Sequence, residues 1–169
     1  MTLTAPTLTT ARLTLRPHVM GDFDIYAALM MSDRAVHMGG PFDLAGAWQW
    51  FASDVAQWPL RGCGALAVTE TASGRLVGQV VLNDLPHFPE RELGWMAFAE
   101  GHGFLTEAAA RMRDFAFGTL GWPALVSYVA PANRRSAALA ERLGALPDPD
   151  APRPDPADLV WRHPNGDAA

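Results

Sequence analysis

The chain has 169 residues and a mass of 18.2 kDa, with 13 Lys+Arg against 18 Asp+Glu, a formal charge of −5. A chain of this length buries roughly two thirds of the surface its unfolded form exposes, so one domain over residues 1–169 needs neither metal nor disulfide to hold a core. The solitary Cys63 has no intramolecular partner, which points to a reducing, cytoplasmic setting. The charges are mixed in sign, which argues against a basic nucleic-acid surface, and the use of arginine as the sole cation type reflects mainly genome composition. No stretch approaches the ~18 apolar residues of a membrane span, and the N-terminus lacks a secretory signal.

In chain order, Leu13 and Leu15 alternate with Arg12, Thr14 and Arg16 before Pro17, the period of a half-buried first strand. Phe23, Tyr26, Ala27 and Met30 predict a helix with Asp22 as its cap, and Trp48, Phe51, Val55 and Trp58 predict a second over about Leu44 to Gln57. Gly64–Glu70 and Arg75–Asn83 predict an antiparallel hairpin around Thr71-Ala72-Ser73-Gly74. Arg91–Phe98 reads as the fourth strand. The apolar stripe Leu105, Ala108, Ala109, Met112, Phe115, Ala116 predicts an amphipathic helix, with Glu107 and Arg111 as an i,i+4 pair on its outer face. A buried strand over Ala124–Val129 follows, so a βαβ crossover is expected. Asn133 opens a helix that Gly144 ends. Five prolines in residues 147–156 predict an ordered loop before a closing strand at Leu159–Trp161. The order describes an α+β domain with a mixed sheet.

One feature carries chemistry: a strand, then Glu100-Gly101-His102-Gly103-Phe104, then a helix. A helix N-terminus offers unpaired amides and a partial positive charge, and flanking glycines let a phosphate approach the backbone. The turn lacks the third glycine of a dinucleotide fingerprint and the Gly-Lys-Ser/Thr of a P-loop. No His or Cys spacing indicates a metal.

From Thr7 to about His163 the chain resembles the GNAT superfamily of acyl-CoA-dependent N-acetyltransferases, in particular its ribosomal-protein (RimJ/RimL-type) branch. The resemblance rests on Thr10-Ala11-Arg12-Leu13-Thr14-Leu15-Arg16-Pro17, on Gly94-Trp95 with Gly101-His102-Gly103-Phe104-Leu105-Thr106-Glu107-Ala108, and on Asn133-Arg134-Arg135-Ser136 ending at Leu143-Gly144-Ala145. It implies a mixed, mostly antiparallel sheet of six to seven strands flanked by about four helices, splayed between the fourth and fifth strands. It implies acetyl-CoA as cofactor, its diphosphate on the amides of Gly101, His102, Gly103 and Phe104 with the Thr106 hydroxyl. Backbone groups of Met96, Ala97 and Phe98 would meet the pantetheine arm, and Asn133 and Ser136 would lie at its sulfur end. Two positions depart from the family pattern: Phe98 stands where Gln or Arg is common, and six residues separate Gly94 from Gly101 where about two more are usual.

The reaction this implies is acetyl transfer to an uncharged amine. The acceptor is expected to be a protein or peptide α-amine, with small-molecule amines such as antibiotics or polyamines, or a non-catalytic acyl-CoA-binding role, as alternatives; a homodimer is left open. A thiol pKa near 8.5 already makes a good leaving group, so a general acid adds modestly. The tyrosine that often serves, seven residues after the motif asparagine, is Ala140 here, and Ser136 is the substitute the resemblance suggests, with Tyr128 or water behind it. For the base Glu92 comes first, then Asp84 and His87; a solvated strand end and a plain loop residue are the competing roles for Glu92 and His87. His37-Met38-Gly39-Gly40 and Trp48 fall where related enzymes wall the acceptor pocket.

Overall fold

The structure is a computed structural model and describes residues 4–166. Strands β1 (Leu8–Thr9), β2 (Leu13–Arg16), β3 (Ala65–Glu70), β4 (Leu76–Asn83), β5 (Glu92–Ala97), β6 (Val126–Val129), β7 (Leu146–Pro147) and β8 (Leu159–Arg162) form one sheet in the order β1-β2-β3-β4-β5-β6-β8-β7. Every neighbouring pair is antiparallel except β5 and β6, which run parallel, as a βαβ crossover requires. The expected α+β architecture is present, with one strand more than anticipated because two-residue edge pieces extend the sheet at both ends. Helices α1 (Phe23–Met30) and α2 (Leu44–Arg61) cover one face; α3 (Phe104–Asp114) lies on the other, near α4 (Arg134–Arg142).

The two faces have separate cores. Leu13, Leu15, Leu66, Val68, Val77, Val80, Leu82 and Leu93 meet Leu105, Ala108, Ala109 and Met112 of α3, while Tyr26, Met30, Phe51 and Met96 pack under α1 and α2. Each fully buried leucine contributes roughly 1.5–3 kcal/mol, so the α3 face dominates the apolar stabilisation. Gly78 lets α3 sit down on β4: a Cβ there would meet the Met96 carbonyl at 2.6 Å and Leu105 Cδ2 at 2.8 Å.

Several local expectations are corrected by tertiary contacts. The second helix runs on to Arg61, because Trp58 is buried and donates its indole N–H to the Ala65 carbonyl (2.8 Å), fastening the last turn to β3. Asp22 does not cap α1; its carboxylate turns back to accept from the Val19 amide (3.0 Å) and from both Arg16 nitrogens (2.9 and 2.8 Å). Glu107 turns away from Arg111 and binds the Thr10 hydroxyl (2.5 Å) and Arg12 Nε (2.7 Å), tying the N-terminal strands to the first turn of α3. Cys63 is buried, and burial raises its thiol to about 11. Among the described residues no helix is long and apolar enough to cross a membrane.

The feature that positions the site is the parallel pair. β5 and β6 share one register contact, Glu92 with Val126, and diverge beyond it.

Candidate active site

Which backbone groups line the splay follows from strand alternation. The Arg91 carbonyl accepts from Val126 N–H (3.1 Å) and the Leu93 carbonyl from the Ser127 hydroxyl (2.5 Å), so both face β6. A period of two then turns the main-chain groups of Trp95 and Ala97 to the same side. Met96 and Phe98 face the opposite way: the Phe98 amide donates to the Val77 carbonyl of β4 (2.9 Å), and the Ala99 amide shares that acceptor (2.9 Å). The expected main-chain roles of Met96 and Phe98 toward the pantetheine arm are therefore corrected. Both instead supply side chains to the core under α1 and α2, where Phe98 lies edge-on to Tyr26 with ring centroids 6.3 Å apart. Ala97 turns its main-chain groups toward the splay, and so does Trp95, which sequence reasoning did not name there.

At the far end of β5 the Gly101–Phe104 turn leads into α3. Gly101 has φ +90° and Gly103, the N-cap of α3, φ +68°, a region that L side chains enter at a cost. A Cβ at Gly101 would meet nothing within 4 Å, and no side chain caps α3. The turn thus presents open space in front of first-turn amides, which fits a diphosphate held by backbone donors. Thr106 lies in the same first turn. The His102 ring stacks on Phe104 (5.1 Å between centroids), and its carbonyl accepts from Arg12 Nη1 (3.0 Å), so the side chain is engaged in packing the turn.

Across the splay, the Asn133 side chain accepts from the Ser136 amide (3.2 Å) and caps α4. The Ser136 hydroxyl oxygen accepts from the Trp95 indole N–H (3.3 Å), which leaves the hydroxyl its own proton to donate. Ala140 is completely buried beside Val129 and Trp161, so the position occupied by tyrosine in many relatives points into the interior here.

The opposite face of β5 carries the carboxylates. Asn83 pairs with Glu92 in register; its Nδ2 donates to Glu92 Oε2 (2.6 Å) and its Oδ1 accepts from Gln57 Nε2 (2.8 Å). Burial pushes the Glu92 carboxyl from 4.5 up to about 7 against the opposing effect of Asn83 and the Tyr128 amide, and the Asp54 charge adds to the rise. Further along the same face, Asp54 accepts from Gln79 Nε2 (2.8 Å) and the Tyr26 hydroxyl (3.1 Å), and burial raises it to about 6. The competing candidates have other partners. Asp84 is ion-paired with Arg61 (3.1 Å), His87 stacks edge-on against Phe88, and the Tyr128 oxygen accepts from the Glu90 amide (3.3 Å). Trp48 is 45% exposed and edge-on to Phe23, lining an apolar cleft of about 340 Å³ with Val19, Met20 and Phe51.

A parallel pair that opens beside an uncapped, glycine-led helix is accompanied by a family match: the model of the acetyltransferase (GNAT) domain covers residues 12–146. The chain belongs to this family. An acetyltransferase from Agrobacterium tumefaciens str. C58 is 49% identical over 97% of both chains, with a TM-score of 0.92. A Bordetella pertussis protein assigned to the GNAT family is 26% identical over 95% of this chain and 100% of its own, with a TM-score of 0.76. A spermidine N-acetyltransferase from Vibrio cholerae, solved with CoA and spermine, shares the fold at 18% identity over 90% of this chain and 94% of its own, with a TM-score of 0.69. This GNAT protein is an acetyl-CoA-dependent N-acetyltransferase that moves an acetyl group to an amine. The buried polar side chains under α1 and α2, Gln57, Gln79, Asn83 and Asp54, escaped sequence reasoning because each reads locally as an ordinary helix or strand residue.

Proposed function

We propose that the acceptor is a protein or peptide α-amine, as in the ribosomal-protein branch the sequence resembles. What supports this is the position of Glu92 at the start of β5, where its carboxylate accepts from Asn83 Nδ2 (2.6 Å) and burial raises it to about 7. Taking a proton from an α-ammonium of pKa near 8 is uphill by about 1.4 kcal/mol for such a base, whereas a lysine-like ammonium near 10.4 costs about 4.6 kcal/mol. The difference is set by the two amines, and the raised Glu92 carboxyl lowers the cost of both transfers, bringing that from an α-ammonium within easy reach.

Acetyl-CoA supplies an acetyl thioester open to direct attack by an amine, so no covalent enzyme intermediate is required. The Gly101–Phe104 turn and the first-turn amides of α3, with the Thr106 hydroxyl, hold the diphosphate. Main-chain groups of Trp95 and Ala97 pair with the pantetheine arm in the splay, and Asn133 fixes the first turn of α4 beside it. Glu92 receives the amine proton through water, and Ser136, its oxygen already held by Trp95, relays a proton to the departing sulfur, its own hydroxyl proton being replaced from water. Base and acid thus work from opposite faces of β5, which keeps the two proton movements apart.

The test is a competition with acetyl-CoA among peptides with free N-termini, N-terminally blocked peptides containing lysine, and spermidine, read by mass. Acetylation of the free N-termini is expected. Exclusive modification of spermidine or of lysine refutes the α-amine assignment.

A further inference from the structure

Three segments meet at one exposed carboxylate beside the cofactor turn. Arg34, from the 3₁₀ segment Asp33–Met38 next to α1, donates to Glu100 Oε1 (2.8 Å), and Arg135, in the first turn of α4, reaches Glu100 Oε2 (2.6 Å). Each oxygen takes one guanidinium. Arg34 also donates to the Ala97 carbonyl (2.6 Å), which faces the splay. Glu100 directly precedes Gly101, where the space in front of the turn is open. A carboxylate holding two cations next to a diphosphate site occupies the electrostatic place that a phosphate oxygen would take. Arg34 at the same time covers a main-chain acceptor on the path of the pantetheine arm.

We propose that Arg34 and Arg135 are cofactor ligands held in reserve by Glu100. On binding of CoA, both guanidiniums pass from Glu100 to phosphate oxygens, and Arg34 leaves the Ala97 carbonyl free to pair with the arm. This rests on the placement of the diphosphate at the Gly101–Phe104 turn. The exchange is easy because the ion pairs to be opened are solvent-exposed and weak, whereas guanidinium and phosphate pair through short, charge-assisted hydrogen bonds.

Calorimetry with CoA, and with pantetheine as a probe that lacks the phosphates, tests this on the whole chain. Glu100→Gln is expected to tighten CoA binding by about three- to tenfold, within the range that release of two exposed pairs allows, and to leave pantetheine unchanged. The gain must vanish in an Arg34→Ala/Arg135→Ala background. Arg34→Ala alone should weaken CoA binding without weakening pantetheine. No gain in Glu100→Gln overturns the proposal. A gain that persists without the arginines also overturns it, since it would show plain repulsion between Glu100 and phosphate, and so does an equal loss of both probes in Arg34→Ala. Failure of the diphosphate placement reads out separately, as CoA affinity that Gly101→Val leaves unchanged whatever Glu100 does.

Discussion

Replacing Glu92 by Gln separates the stability of the site from its chemistry. In the folded protein the carboxyl binds its proton more tightly, at about 7 against an ordinary 4.5, a difference worth on the order of 3 kcal/mol. Between those values the folded state holds more protons than the unfolded state, so stability is fully present below about pH 4.5 and declines until about pH 7. Gln cannot ionise and escapes that decline. Gln replaces one carboxylate oxygen with an NH2 donor, which leaves either the Asn83 amide or the Tyr128 N–H facing a donor, a loss of about 1 kcal/mol. At pH 8 the variant should therefore gain about 2 kcal/mol, or roughly 4–8 °C in Tm, and at pH 5 it should be no more stable than the parent. Its kcat should fall about a hundredfold, the lower end for loss of a general base, and the rising limb of kcat near pH 7 should disappear. The assay is thermal melting from pH 5 to 9 together with thiol release from acetyl-CoA, using two acceptors of different amine pKa so that a limb belonging to the enzyme stays put. A parent Tm that does not fall between pH 5 and 7, or a Glu92→Gln enzyme with full kcat and the same limb, refutes the reasoning.

Gly101→Val places a β-branched side chain at φ +90°, which costs about 1–2 kcal/mol of a stability of about 5–15 kcal/mol and puts the new methyls in the open space before the turn. The fold should persist with a Tm lower by a few degrees, and CoA affinity measured by calorimetry should drop by at least about tenfold, or 1.4 kcal/mol. Ser136→Ala should lower kcat by about tenfold, the modest share left to an acid when the leaving thiol has a pKa near 8.5, with CoA affinity unchanged; an unaltered kcat would confine Ser136 to its contact with Trp95. Asp22 is held below its ordinary 3.8 because Arg16 and the Val19 amide outweigh the effect of burial, so its contribution is present above pH 3.8 and lost as pH falls through the folded value. Asp22→Asn should cost about 1–3 kcal/mol at pH 7 and flatten the acid limb of a stability titration followed by circular dichroism.

The candidate cofactor turn was legible as a structural element because its features are local. A strand, two glycines and a helix start lie within about a dozen residues, and the donors are backbone amides whose availability depends on φ and on the missing cap. The facing of strand groups is a different kind of property. Whether Met96 or Trp95 turns its carbonyl to the splay depends on where β4 pairs and on the shared Val77 acceptor at Phe98 and Ala99, and neither leaves a mark on the residue types of β5. The same holds for charge. Glu107 reads as half of a helical pair with Arg111, yet it binds Thr10 and Arg12, 97 and 95 residues away in the chain. Arg34 and Glu100 meet across 66 positions. Glu92 stands at the strand start as the sequence predicts, but the shift of its carboxyl toward 7 comes from burial and from Asp54 on another element. A GNAT enzyme is therefore recognisable from one turn of chain, while the proposed acceptor selection falls to side chains brought together from α1, α2, β4 and β5. Substitutions on those four elements should change which amine is acetylated before they change the use of acetyl-CoA.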